Sequence, residues 1–259
     1  MRIITVINAK GGCGKSTIAM NLAAALANDG AKVLLSDMDP QAQLSEWLHA
    51  SDGLSWEDTI VAPLLGHVPL SKVIHTTRHK NLSFIASAFA LEEYGRDIVH
   101  QEGYFQGYAS ALGQLPEDAF DFLIVDAPNQ ISPIMENTIY PADLFIVPFE
   151  STKAVKSYAN FYSLLLRIRP GADFHMLHVL NNLHRVGLRK RVIERMHEEH
   201  IPIAQSEIRN CGWLAQVDEH GGSIMEYRPR SKGAEDMKAL CDEVLSLFNQ
   251  KKRKKVANA

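Results

Sequence analysis

The chain has 259 residues, of which 46% are hydrophobic and 22% charged, and carries a formal net charge of −3. That composition excludes a disordered or fibrous chain, and the slight acidity excludes a globally basic nucleic-acid binder, so any such surface must be local. Its three cysteines, Cys13, Cys211 and Cys241, stand far apart with no C-x-x-C pair, which argues against structural zinc and against a disulfide framework. From the N-terminus, residues 2–9 (RIITVINA) read as a buried strand, and residues 16–29 (STIAMNLAAALAND) as an Ala- and Leu-rich helix stopped by Gly30. Residues 32–39, 81–87, 120–128 and 143–149 give four more strands. Residues 153–169 form a helix ended by Pro170-Gly171, residues 174–182 a sixth strand, and 188–200 and 232–250 two further helices. Residues 50–80 are the hardest to read. Continuous apolar strands alternating with helices predict one α/β domain over 1–250: a doubly wound, mostly parallel sheet with helices on both faces. A basic, flexible tail is expected over 251–259.

In such a sheet ligands bind beyond the carboxyl ends of the strands. Three motifs fall there. The first is NAKGGCGKST, residues 8–17. It departs from the usual Gly-x4-Gly-Lys-Ser/Thr phosphate loop, because Ala9 stands where the first Gly belongs and an extra lysine, Lys10, follows it. The backbone N–H groups of Gly11, Gly12, Cys13, Gly14, Lys15, Ser16 and Thr17 are expected to cradle phosphate oxygens at the helix N-terminus. Lys15 supplies a point charge to the outer phosphates, and the Ser16 hydroxyl is a ligand for Mg²⁺. The second motif, DMDPQ (37–41), puts Asp37 and Asp39 at a strand end, facing a metal or an attacking water; the alternative is a solvated turn. The third, LIVDAP (123–128), ends an apolar run on Asp126, the arrangement that holds Mg²⁺ through a water.

These three stretches resemble the deviant phosphate loop, the second aspartate motif and the Walker B strand of the ParA/MinD family of P-loop ATPases. VLNNLH (179–184) resembles the family's adenine-reading strand end, and residues 220–244 its glycine-containing segment and closing helix. DPQ and that closing segment are more like the ParA branch. The resemblance implies an ATPase with ATP and Mg²⁺ as cofactors. It implies a face-to-face homodimer with two nucleotides in the seam, where Lys10 reaches the partner's nucleotide as an arginine finger would. It gives Asp39 the role of orienting the attacking water, places Asp37 near the metal, and gives Asn181, or else Asn182, the adenine edge. Asn129-Gln130 after Pro128 departs from the family's usual Pro or Gly.

ParA relatives bind nonspecific DNA as ATP dimers and release it after hydrolysis stimulated by a ParB-like protein on a cargo. Residues 185–195 (RVGLRKRVIER) offer Arg185, Arg189, Lys190, Arg191 and Arg195 against one acid. On a helix, Leu188, Val192 and Met196 share the inner side while Lys190 and Arg191 point away. Arg228, Arg230 and Lys232 form a second basic group and residues 251–255 a third. Taken singly, each reads first as a solvated face; it is the three groups together, in the C-terminal part of a net-acidic chain, that point to DNA. A cytoplasmic, nucleoid-associated protein is expected. The alternatives are a MinD-like ATPase on membranes or a metabolic relative. The tail has almost no apolar residue after Phe248, so charge alone would hold it to lipid weakly, and no membrane partner is expected. No cysteine motif suits an iron–sulfur cluster. The first strand begins at residue 2, so no N-terminal helix-turn-helix domain is expected.

Overall fold

Runs such as VLLSD and FLIVD carry apolar side chains toward both faces, and a parallel sheet covered by helices on each side is what buries them. The computed structural model describes residues 1–48 and 53–257, with side chains at Asp218 and 250–257 not described. The strands are β1 (Arg2–Val6), β2 (Val33–Asp37), β3 (His75–Thr76), β4 (Leu82–Ile85), β5 (Phe122–Asp126), β6 (Leu144–Phe149), β7 (His175–Asn181) and β8 (Glu207–Ile208). The helices are α1 (Lys15–Asn28), α2 (Gln43–Trp47), α3 (Val61–Leu64), α4 (Ala90–Ile98), α5 (Gly107–Leu112), α6 (Pro133–Ile139), α7 (Thr152–Ile168), α8 (Val186–Glu198), α9 (Val217–His220), α10 (Ile224–Tyr227) and α11 (Lys232–Ala257).

The sheet runs β3-β4-β2-β5-β1-β6-β7-β8, parallel throughout except where β3 meets β4. From β1 the chain winds one way to β2 and β4, returns through β5, and then winds the other way to β6, β7 and β8. That reversal puts the loop after β1 at the point where neighbouring connections diverge, and a ligand crevice opens there. Alternation along each strand divides the core. Ile4, Val6, Val33, Leu35, Ile124 and Ile146 pack against α1 and α11 on one face. Leu34, Leu123 and Val125 pack under α3 to α5, and Phe145, Val147 and Phe149 under α7 and α8, on the other. Truncating one of these, for example Ile4→Ala, would cost about 2–5 kcal/mol. α1 is buried almost all round, which explains its lack of a polar face.

All six predicted strands form, each trimmed by up to three residues at an end. The two unpredicted strands, β3 and β8, have two residues each and complete opposite edges of the sheet. The backbone of α11 continues helically through Ala257, over residues expected to form a separate tail. No Gly or Pro follows Gly233, and Lys, Arg and Gln are good helix formers. Among the described residues no helix is long and apolar enough to cross a membrane.

Candidate nucleotide site

The loop after β1 is pinned at its root. Asn8 Nδ2 donates to the Pro148 carbonyl at 2.9 Å, and Asn8 Oδ1 accepts from Ser157 Oγ at 2.7 Å. Within the loop Gly12 and Gly14 have φ of 75° and 88°, a region that L side chains seldom adopt. Gly14 is needed for a second reason. A Cβ there would lie 2.3 Å from Asn181 Nδ2, which donates to the Cys13 carbonyl at 2.7 Å. Asn181, at the end of β7, thus braces the loop from beneath. The Lys10 carbonyl accepts from both Lys15 Nζ and Cys13 Sγ, each at 3.2 Å. Cys13 is wholly buried, and burial pushes its thiol up, so it offers the crevice only its backbone. Gly14 caps α1 without a side-chain bond. The first N–H groups of the helix therefore have no protein side chain competing for them, and an anion at this N-terminus meets both open donors and the favourable end of the helix dipole.

The strand-end carboxylates are brought together by register. Asp37 and Asp126 are paired positions on β2 and β5, and Val6, at the root of the phosphate loop, pairs with Asp126 from the other side. Both carboxylates are fully buried. Asp37 is already engaged: its Oδ1 accepts from the Asp39 amide at 3.0 Å, and its Oδ2 from the Ser45 amide at 2.9 Å and the Ser45 hydroxyl at 2.7 Å. Burial still pushes it up to about 7. Neither oxygen of Asp126 has a hydrogen-bond partner. Burial and the neighbouring Asp37 charge hold its pKa well above the carboxylate range, against the pull of Lys15 and Ser16 beside it. A buried carboxylate without partners calls for a cation, and Asp126 with the Ser16 hydroxyl suits Mg²⁺. Among the described residues no group of three or more His, Cys, Asp or Glu side chains is placed to hold a metal alone. The shell would have to be completed by Ser16 and phosphate oxygens, as hard oxygen-seeking Mg²⁺ accepts. The structure thus brings Ser16, Asp37 and Asp126 together and divides their work: Asp37 is spent on the frame and Asp126 is open.

Asp39 sits on the turn after β2, half-buried, with Oδ1 accepting from the Gln41 amide at 3.0 Å. It lines an open cavity of 690 Å³ together with Gln41, Gly95, Arg96, Asn129 and Gln130. Asn129 lies beside Gly11 of the phosphate loop, so the unusual Asn129-Gln130 pair forms the wall between Asp39 and the cradle. Lys10 does not float in solvent. Its ammonium pairs with Glu150 Oε1 at 2.5 Å and donates to the Gly11 carbonyl at 3.0 Å. Asn182, with φ of 55°, turns outward and accepts from Asn210 Nδ2 at 2.6 Å.

The basic residues behave differently. Val192 and Met196 are buried under α8 as its periodicity requires, Arg189, Lys190 and Arg191 face outward, and Arg195 is half-buried. Arg189 makes a two-point contact with Glu207 at 2.8 and 3.0 Å, Lys190 pairs with Glu194 at 3.7 Å, and Arg195 with Glu198 at 2.9 Å and Glu199 at 2.6 Å. Among the described residues Arg185 and Arg191 have no carboxylate partner. Arg228 stacks 4.0 Å over the Trp213 ring, and Arg230 is exposed on the turn that follows. The side chains of the third basic group, 251–255, lie outside those described. Ser45 and Glu150 are site residues the sequence reading missed. Glu150 carried a usable signal, an acid directly after the apolar run 144–149, just as Asp126 follows its own. Ser45 carried none.

Comparison with known proteins agrees with this geometry. A family described as an AAA domain (AAA_31) matches residues 1–169. The chain is 28% identical over 251 residues to the cell division protein PomZ of Myxococcus xanthus, covering 92% of this chain and 76% of that protein. It is 29% identical over 260 residues to the chromosome-partitioning ATPase Soj of Thermus thermophilus, covering 95% and 96%. The solved structure of Cyanothece McdA in complex with ATP superposes with a TM-score of 0.82 at 22% identity, over 94% of this chain and 96% of that one. With its phosphate loop at the switch point of the sheet and its paired strand-end aspartates, the chain belongs to the ParA/MinD family of P-loop ATPases.

Proposed function

We propose that the chain forms a face-to-face dimer with two ATP molecules in the seam, binds DNA without sequence preference in that state, and positions a cargo. Hydrolysis, stimulated by a ParB-like or analogous protein on the cargo, then releases it. The observation that carries this reading is Lys10. Lys15 already points its charge into the loop of its own protomer, and Lys10 is a second cation at the same loop, held to Glu150 and the Gly11 carbonyl and turned away from the Asp126 side of the crevice. A charge supplied across the seam stabilises the negative charge that develops on the transferring phosphate. It also makes ATP part of the dimer interface, so nucleotide state sets oligomeric state through differential contacts.

Placement supports the remaining roles we assign. Lys15 and the N–H groups of 11–17 hold the phosphates. Ser16 and Asp126 would hold Mg²⁺ on the frame fixed by Asp37, and that ion when bound neutralises and orients phosphate oxygens. Asp39 orients the attacking water at the wall of the open cavity. Asn181, or Asn182 beside it, takes the adenine edge. Arg185, Arg189, Lys190, Arg191, Arg195, Arg228 and Arg230 supply the DNA surface. Two-fold symmetry doubles that surface on dimerisation, which gates DNA affinity by nucleotide and brings association with the nucleoid. Support for positioning comes from what Soj and PomZ are named for, chromosome partitioning and cell division.

Size-exclusion chromatography with light scattering, run with ADP or a slowly hydrolysed ATP analogue, tests the reading. Wild type is expected to dimerise only with the analogue, and Lys10→Ala to stay monomeric with nucleotide binding intact. A variant dimer as stable as wild type would remove Lys10 from a role in trans.

A further inference from the structure

Glu150 follows β6 directly and precedes Ser151, the N-cap of α7. Its Oε1 accepts from the Lys10 ammonium at 2.5 Å and from the Ser151 hydroxyl at 2.8 Å. Ser151 Oγ also accepts from the Ala154 amide at 3.3 Å, so the carboxylate is tied to the first turn of a 17-residue helix. The N-terminal end of that helix favours negative charge. Glu150 Oε2 is buried with no partner. The side chains are only 15% exposed for Glu150 and 26% for Lys10, so water does little to replace either partner if they separate. The acid is therefore fixed and the lysine is the movable member, folded back on its own loop through the Gly11 carbonyl at 3.0 Å.

We propose that Glu150 is a latch: it holds Lys10 in cis in the monomer and so sets how much negative charge a partner's nucleotide must present before the lysine crosses. This rests on the reading of Lys10 as acting in trans. A lysine that must leave Glu150 is contested by two anions, its own carboxylate and the nucleotide opposite. The triphosphate carries more charge than the diphosphate at the same place. The latch thus widens the difference between ATP and ADP, because only the more highly charged nucleotide outbids Glu150. Without the latch the lysine is free to cross for either nucleotide, and discrimination narrows. Glu150 acts through Lys10 and is a positioning residue.

The test combines two readouts. Light scattering over a protein dilution series, with the ATP analogue or ADP, gives the dimerisation threshold. Quantitative acetylation of the nucleotide-free protein gives the accessibility of the Lys10 amine. Glu150→Gln, which keeps an acceptor for Ser151 but removes the charge, is expected to lower the ATP-analogue threshold by about tenfold and to yield a dimer with ADP. It should also raise Lys10 acetylation severalfold. Glu150→Asp, which keeps the charge, should restore discrimination toward wild type. Lys10→Ala/Glu150→Gln should remain as monomeric as Lys10→Ala. An unchanged threshold and unchanged Lys10 labelling in Glu150→Gln would overturn the latch. So would dimerisation of the double variant, since relief would then come from weaker repulsion of phosphate and not from the lysine. A Lys10→Ala single variant that dimerises like wild type fails the trans reading instead, and the two failures are told apart by that single variant.

Discussion

The phosphate-loop edge of the sheet and the outer face of α8 both gather polar and charged groups, but they are built on opposite terms. At the loop, the framing groups are fixed by something rigid. Asn8 is tied to β6 and α7, Asn181 lies against Gly14, and Asp37 is held by two amides and a hydroxyl. On α8 and its N-cap Arg185 the basic residues are exposed except the half-buried Arg195, and three of the five are already matched by carboxylates: Glu207, Glu194, and Glu198 with Glu199. Exposed pairs of that kind are worth about 0.2–1 kcal/mol, so a phosphate can displace them, but each displaced acid stays nearby and repels it. Geometry decides at the first region and net local charge at the second, and counting basic residues in a sequence window overstates the second.

The sharpest way to break that contrast is at the loop. Lys15→Ala is expected to lose ATP affinity by about 100-fold or more, since a charge-assisted contact in a preorganised cradle disappears and every 1.4 kcal/mol is tenfold. Calorimetric titration checks it, and unchanged affinity would sink the loop assignment. Asp39→Ala should lower kcat by about 10²–10⁴-fold while ATP binding and ATP-dependent dimerisation persist, because assembly needs phosphates neutralised and turnover needs water positioned. A phosphate-release assay beside light scattering separates the two.

Asp126 offers a test with the opposite sign for stability. Its raised pKa means that the folded state keeps a proton that the unfolded chain has already released. Nucleotide-free stability should therefore be greatest below about pH 4 as far as this group is concerned, and fall as pH rises through the folded pKa. Asp126→Asn should flatten that fall and raise the melting temperature above pH 7, by about 2–4 °C per kcal/mol relieved in a chain of this size. It should also abolish Mg²⁺-dependent hydrolysis. A variant that melts lower than wild type at every pH would show that Asp126 is not an unpaired buried charge.

The smallest single-residue effects belong to α8, and they sharpen the comparison. Replacing Arg189, Lys190, Arg191 and Arg195 together with Glu should abolish DNA binding while sparing dimerisation. Singly, Arg191→Glu should weaken DNA binding severalfold and lower the slope of log affinity against log salt by about 1, and Arg195→Glu, already matched by two acids, should do less. Equal effects at both positions in gel shifts across a salt series would mean that internal pairing is irrelevant to the patch.

The same contrast explains what the sequence disclosed. The six main strands, α1 and the three strand-end motifs were legible because each rests on local rules: β-branched runs, glycine conformations and a lysine and hydroxyl at set spacing. The division of labour between Asp37 and Asp126 was not legible, because it depends on Ser45, eight residues past Asp37 in a five-residue helix with no distinguishing pattern. Nor was the bracing role of Asn181, since its contact with Gly14 spans two distant strand ends that only the parallel register brings together. The pairing of Arg189 with Glu207 likewise crosses from α8 to β8, an edge strand of two residues too short to carry a period.

One of these contacts offers a means of watching the site from a distance. The Ser45 hydroxyl that donates to Asp37 also accepts from the Ser87 amide at 2.9 Å, just past β4. The amide of Ser45 therefore donates directly to Asp37, and that of Ser87 ends a hydrogen-bond relay that starts at Asp37, the neighbour of the open Asp126, although Ser87 lies in no motif. A change of charge beside Asp37 should appear as a paired displacement of these two backbone resonances, and as slower or faster deuterium uptake there, without any label in the crevice itself. The chain carries its own pair of spectroscopic gauges for occupancy of the site, and Ser45→Ala, which cuts the relay, should silence the one at Ser87 first.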